Sequence, residues 1–277
     1  MRHRLSDDEW DLISDLFPKP TGVGRPPNNP RDMMDGILWV LRTGAPWRDV
    51  PQELGRWSSV WDAFDRWNSD GTLAEILSRL IASHVDVGAV GTDLWLVDGT
   101  VVRAARCASG GGKEDDPDEP DDHGLGRSRG GFSTKIHLVS DDRGHPLAVT
   151  ITPGQEHESQ SLCELLESVE IIDHDGQLIP LPEKLAGDKG YRAEWIDDYL
   201  LNLGITPVIP SKANEDRSKR RVEFDREAYR SRNIVERLIG WLKESRRILT
   251  RYEKTAKNYL GMLRVAFIHR YLRLACC

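Results

Sequence analysis

Cysteine is scarce in this 277-residue chain: four in all, Cys107, Cys163, Cys276 and Cys277. No CxxC pair occurs and no His stands at a partnering spacing, so neither a zinc framework nor a disulfide-stapled fold is indicated, which fits a reducing compartment. Long apolar runs are missing as well. The first residues, MRHRLSDDEW, lack the apolar centre of a secretion signal, and LRVAFIHRYLRLACC is broken by charge well short of membrane-spanning length. The expectation is a soluble cytoplasmic protein with no membrane partner. Net positive charge is lacking too: 38 Lys and Arg against 45 Asp and Glu give −7, which at first argues against a phosphate-rich partner.

The distribution of charge reverses that argument. From Ser211 to Cys277 the chain carries 18 Lys and Arg against 8 Asp and Glu, a balance of +10, which leaves −17 for everything before it. A basic C-terminal quarter is the electrostatic footprint of a nucleic-acid contact, although a solvated charged face has the same composition.

Two structural blocks are expected. Residues 1–88 read as an all-α domain of helix-turn-helix type: SDDEWDLISDLF begins at an N-capping Ser6, Pro30 to Arg42 has helical spacing, and WSSVWDAFDRWNSDG forms a third helix after the turn-rich TGAPWRDVPQELGR. On that third helix Trp57, Val60, Trp61, Phe64 and Trp67 recur at core spacing, leaving Ser58, Ser59, Asp62 and Arg66 to face outward. Residues 89–277 read as an α/β domain with a mixed sheet flanked by helices. LWLVDGTVVRA, GFSTKIHLVS and PLAVTITP have strand patterns, the last two joined by the turn DDRGH, and three antiparallel strands are the simplest arrangement. Helix and strand then alternate up to the basic C-terminal helices of residues 224–277. Residues 107–130, rich in Gly, Pro and Asp, predict a flexible loop.

Three carboxylates stand out against this frame. Asp98 lies inside the first strand, where Trp95, Leu96 and Val97 predict burial, and a buried carboxylate needs a cation or a metal ion. Asp188 follows a short apolar strand between the glycines of AGDKGY, at an expected sheet edge. The third, Glu236, sits in the basic segment AYRSRNIVERLIGWLKESRR. On one continuous helix at about 100° per residue, Tyr229, Arg232, Glu236 and Lys243 share a face, with Ile234, Leu238, Trp241, Leu242, Ser245 and Ile248 opposite. Hard oxygen ligands of this kind suit Mg²⁺ or Mn²⁺ and not zinc. Two such ions serve in-line displacement at phosphorus, with the neighbouring cations holding the phosphate backbone. Three unrelated structural acids are the competing reading.

Across nearly its whole length the sequence resembles the DDE transposases of bacterial and archaeal insertion sequences, specifically the insertion-sequence-five family within the larger group related to the family numbered four. The resemblance is carried by LSDDEWDLISDLFP, GRPPNNPRDMMDGILWVLRTGAPWRDVP, VDGT, GRSRGGFSTKIHL, TPGQEHES, GDKGY and RNIVERLIGWLKESRRILTRYEK. Its most specific element is Tyr, two residues, Arg, three residues, Glu, six residues, Lys, matched by Tyr229, Arg232, Glu236 and Lys243. The resemblance implies an RNase H-like core with Asp98 on the first strand, Asp188 after the fourth and Glu236 on a late helix, together forming the catalytic and metal-binding set. It also implies Mg²⁺, or Mn²⁺ in its place, as cofactor. Cleavage at element ends by water would precede attack of the freed 3′-hydroxyl on target DNA. Tyr229, Arg232 and Lys243 would position double-stranded DNA, and Arg247 and Arg66 are added to that set. A homodimer or larger multimer on DNA and a nucleoid-associated location follow. A catalytically inactive, DNA-binding regulator is the alternative.

Overall fold

The computed structural model describes residues 4–17, 28–111, 119–169, 171–173, 175–216 and 220–276. In chain order the elements are α1 (Asp7–Asp11), α2 (Pro30–Thr43), α3 (Trp57–Ser69), α4 (Thr72–Asp86), β1 (Leu94–Ala104), β2 (Gly126–Ser128), β3 (Gly131–Asp141), β4 (Pro146–Pro153), α5 (Leu162–Glu167), β5 (Lys184–Ala186), α6 (Glu194–Asn202), β6 (Thr206–Val208), α7 (Arg226–Arg230), α8 (Asn233–Lys243), α9 (Arg246–Leu249), β7 (Thr250–Arg251) and α10 (Ala256–Ala275). Among the described residues no helix is long and apolar enough to cross a membrane, and Cys107, Cys163 and Cys276 are free thiols.

The sheet is seven-stranded and mixed, in the order β2-β3-β1-β5-β6, with β4 added on β3 and β7 on β1. It is the mixed sheet of the expected α/β fold. β3 and β4 form the antiparallel hairpin that DDRGH predicts, in register from Thr134↔Pro153 to Val139↔Ala148, with a shift of one residue before Ser140↔Pro146. The turn is tied by Asp141, whose carboxylate accepts from the backbone N–H of His145 at 2.7 Å, of Gly91 at 2.9 Å and of Arg143 at 3.0 Å. β1 lies beside β3, as expected, and also pairs in parallel with β5 and β7. Burial of Leu94, Trp95, Leu96 and Val97 explains this, because a strand without a polar face belongs in the parallel, doubly covered part of a sheet.

By internal contacts the chain forms two units. One comprises residues 81–102 and 124–241; the other comprises residues 1–80, 103–123 and 242–277. The sequence blocks 1–88 and 89–277 are cut differently, because the C-terminal segment packs on the N-terminal helices. α10 contacts α2 and α3, and α9 contacts α2. The reason lies in α10 itself. Tyr259, Met262, Leu263, Val265, Ala266, Phe267, Ile268, Tyr271 and Leu272 are all buried, so this helix is a core element with basic residues at its margins. Gly261 allows close approach to α3, since a Cβ there would lie 2.6 Å from Asn68 Oδ1. Asn68 in turn donates to the Lys257 carbonyl and accepts from Arg264.

The helical block contains the expected helices, followed by a further one, α4. α1 carries a reciprocal cap: the Ser6 hydroxyl accepts from Glu9 N–H, and the Glu9 carboxylate accepts from Ser6 N–H. α2 ends on Gly44 at φ 67°, a left-handed position that favours glycine. On α3, Val60, Phe64 and Trp67 are buried as expected, but Trp57 and Trp61 are 38% and 36% exposed, so only part of the aromatic stripe is core. The Gly/Pro/Asp-rich segment 107–130 is a loop only in part. Its middle, residues 112–118, lies outside the described residues. Its end folds as β2 on β3, and Glu119 accepts from the N–H groups of Ala256 and Lys257, capping the first turn of α10.

Candidate active site

The register of the parallel strands brings the two aspartates together. Leu96 on β1 pairs with Ala186 on β5, and Asp98 and Asp188 each stand two residues further along, side by side where β5 ends. Carboxyl ends of parallel strands are where open α/β sheets assemble their sites. Asp98 Oδ1 accepts from Gly99 N–H at 3.0 Å. Asp188 Oδ1 accepts from Gly190 N–H at 2.7 Å, which caps a short 3₁₀ turn over Lys189–Tyr191. Burial pushes the Asp98 carboxyl up to about 6; Arg232 and the Gly99 N–H oppose the rise, and the negative charges of Asp188 and Glu158 add to it.

Glu158 is the residue that sequence reasoning missed. It opens the 3₁₀ turn Glu158–Ser161 after β4, and its carboxylate enters the space left by two glycines that follow the aspartates. A Cβ on Gly99 would lie 3.1 Å from Glu158 Oε1. A Cβ on Gly190 would lie 2.3 Å from Glu158 Oε2 and 2.8 Å from Asp188 Oδ1, so those two oxygens share one small space. Glycine at both positions is thus a condition for the acids to converge. The turn is fixed from behind by His137, whose ring nitrogens meet Thr152 Oγ1 at 2.8 Å and Ser161 Oγ at 2.9 Å. Burial first, then the charge of Lys135, lowers that imidazole to about 4, so it is a neutral hydrogen-bonding strut at pH 7. Lys135 Nζ donates to the Glu156 carbonyl at 2.6 Å and stands 3.5 Å from Glu158 Oε1. Tyr191 lies close by: burial first, then the charges of Glu158, Asp98 and Asp188, hold its phenol well above the usual range, and its buried hydroxyl has no hydrogen-bond partner among the described residues. The signals were present in TPGQEHES, GFSTKIHL and GDKGY, but no local periodicity marks a carboxylate that reaches the site from a turn.

Arg232 joins Glu236 to this group. Its guanidinium is 2.6 Å from Glu236 Oε1 and 3.9 Å from Asp98 Oδ2, and it lies over the Tyr229 ring with 6.0 Å to the centroid. The predicted single helix is in fact α7, α8 and α9, interrupted at Ser231–Arg232 and at Glu244–Ser245. Serine and asparagine favour helix ends, and Ser231, Asn233 and Ser245 fall at these breaks. The shared face of Tyr229, Arg232 and Glu236 therefore comes from a bend that turns Arg232 toward Asp98, and not from one unbroken helix. α8 buries Val235, Leu238, Ile239 and Leu242, while the Glu236 side chain is 54% exposed.

The other expected DNA contacts fall in the second unit. Lys243 ends α8, and Arg66 is exposed on α3. Arg247 is buried, its Nε lies 2.5 Å from Glu253 Oε1 and its Nη1 donates to the Ala45 carbonyl, so its charge is used inside the protein.

Among the described residues no three His, Cys, Asp or Glu side chains already form a metal-holding group. The donor chemistry nevertheless fits a hard divalent cation. Asp98, Asp188 and Glu158 offer carboxylate oxygens around a cradle that a Cβ at Gly190 would fill.

Comparison with known proteins identifies the family. A family described as "Transposase DDE domain" matches residues 91–270, well over half of the chain, and one described as "Putative transposase of IS4/5 family" matches residues 5–77. The chain belongs to the DDE transposase family, the polynucleotidyl transferases of DNA transposition. It is similar to a putative transposase for insertion sequence element IS6501 of Brucella ovis, 30% identical over 51% of this chain and 100% of that protein. It is also similar to a putative transposase for insertion sequence element IS402 of Burkholderia cepacia, 31% identical over 52% of this chain and 61% of that one. Among solved structures, the mariner Mos1 paired-end complex with Mg aligns with 92% of this chain and 82% of its own at 13% identity, but its TM-score of 0.28 is too low to bear on residue roles.

Proposed function

We propose that this chain cuts the ends of an insertion sequence in a reaction dependent on a divalent metal ion and joins the freed 3′-hydroxyl to target DNA. The observation that carries the reading is the convergence of Asp98 and Asp188 from adjacent parallel strands, with Glu158 lodged beside the glycines that follow them. Asp98, Asp188 and Glu236 would hold Mg²⁺, or Mn²⁺ in its place, and Glu158 would support the same carboxylate set. When bound, the metal supplies the charge that activates an attacking oxygen and stabilises a leaving one at phosphorus. Arg232 spans Asp98 and Glu236 and fixes their spacing, and with Tyr229 it meets the phosphate backbone near the scissile bond. Lys243 and the exposed Arg66 add backbone contacts, the latter from the helical block that reads the element end. Pairing two ends requires at least two copies of the chain, working at the nucleoid in the cytoplasm.

The test is an assay that resolves nicked from joined DNA on a fragment carrying the element's terminal repeats. The expected result is nicking followed by a joined product in Mg²⁺, with both lost on chelation by EDTA and restored by Mn²⁺. Specific binding with no cleavage in either metal would identify a DNA-binding regulator. Cleavage that never produces a joined strand would identify a nuclease.

A further inference from the structure

A cavity of about 530 Å³ lies within the unit formed by residues 1–80, 103–123 and 242–277, remote in chemistry from the carboxylates. Its lining includes Trp47, Trp57, Trp61 and Tyr252 with Arg48 and Arg247 and, among the described residues, no acidic residue. Trp57 and Trp61 stand one turn apart on α3, and both are more than a third exposed although their neighbours Val60 and Phe64 are buried. Arg48 is exposed and lies over Trp57 with 5.5 Å to the ring centroid. Arg247 lies over Tyr252 at 5.1 Å and Trp47 at 5.8 Å, and Glu253 balances its charge. The aromatic walls are therefore braced by guanidinium planes, while Arg48 supplies the outward-facing positive charge.

Flat π faces beside an exposed arginine suit a flat, aromatic ligand attached to an anion. A cationic ligand would meet Arg48 and Arg247, and a purely aliphatic one would leave Arg48 without an anionic partner. We infer that this cavity receives one unpaired nucleobase of the DNA on which the chain acts, stacked against Trp57 and Trp61 with its phosphate at Arg48. The inference rests on the reading of the chain as a DNA-acting enzyme. It gives the exposed tryptophans a use that core packing does not. Removing a base from its stack costs a few kcal/mol, least where the strand is already unpaired, so such a pocket favours a frayed or single-stranded end over intact duplex.

The test uses the full chain without metal and tryptophan fluorescence quenching by three probes: a single-stranded deoxythymidine oligonucleotide, the same strand with abasic sugars, and a fully paired duplex. The intact strand is expected to bind more tightly than the abasic strand by roughly 5- to 150-fold, the range for stacking of one base on an aromatic side chain. Trp57→Ala and Trp61→Ala are expected to remove that difference, and Trp57→Phe to keep most of it. Both tryptophans are at the surface, so truncation leaves the buried stripe of α3 intact, and the phenylalanine variant controls for folding. Equal binding of intact and abasic strands would overturn the inference. So would alanine variants that bind like the wild type, or a Trp57→Ala variant that changes only the oligomeric state, which would assign the face to a second copy of the chain. Because no metal or cleavage enters this assay, its failure is separable from failure of the transposase reading, which the joined-product assay decides alone.

Discussion

Asp98→Asn, Asp188→Asn and Glu236→Gln are each expected to lower metal-dependent cleavage and joining by at least about a thousandfold, a loss of roughly 4 kcal/mol of transition-state stabilisation, while leaving DNA affinity within about twofold. The local structure supports a clean result. Asp98 Oδ1 and Asp188 Oδ1 accept backbone hydrogen bonds from Gly99 and Gly190, and an amide oxygen can accept the same bonds. Asp98→Asn also removes a buried charge whose ionised form burial disfavours, so the variant should fold at least as well as the parent. Glu236 is more than half exposed and pairs with Arg232; an exposed pair of this kind contributes little to stability. Single-turnover cleavage of an end-labelled substrate, with binding measured in parallel by electrophoretic mobility, checks all three. Activity within tenfold of the parent in any one of them removes that residue from the catalytic set.

Gly190→Ala is the second large effect, and it tests the convergence of acids rather than their identity. Gly190 is not in the left-handed region, so the backbone itself accepts alanine. The new methyl group cannot be placed without displacing Glu158 Oε2 or Asp188 Oδ1, which lie 2.3 and 2.8 Å from its position. Glu158 is the end of a flexible side chain, so the protein folds and the carboxylates separate. Displacement of a catalytic group by about 1 Å costs on the order of a hundredfold in rate, and cleavage should fall by that factor with the thermal midpoint little changed. In a Glu158→Ala background the same substitution should add much less, because one of the two colliding groups is gone. Equal losses in both backgrounds would mean that Glu158 does not share the space of Asp188 in the working enzyme.

Much of this site was legible in the sequence because its parts follow local rules. Asp98 interrupts an apolar strand, Asp188 sits between glycines at a strand end, and β1, β3 and β4 begin where alternation and turn chemistry place them. Glu236 was legible on the spacing of the basic helix, although the angles assumed an unbroken helix and the contact with Arg232 depends on the break at Ser231–Arg232. What could not be read depends on long-range packing. Glu158 reaches the aspartates from a turn after β4, and only the absence of a Cβ at Gly99 and Gly190 reveals the space it fills. Arg247 looked like one more cation of a basic tail, but α9 buries it against Glu253. α10 carries basic residues at its margins and is apolar over most of its surface, so composition hid a core helix that the contacts with α2 and α3 make plain.

Asp98, Asp188 and Glu236, with Glu158 beside them, are proposed here as one metal-binding centre. The most direct measurement replaces Mg²⁺ with Fe²⁺ on the DNA-bound protein and maps the backbone cuts made by locally generated hydroxyl radicals. The expected cuts cluster around residues 98, 158, 188 and 236, are suppressed by excess Mg²⁺ and are absent from the Asp98→Asn, Asp188→Asn double variant. Cuts centred elsewhere in the chain, or a pattern unchanged in that variant, would contradict it.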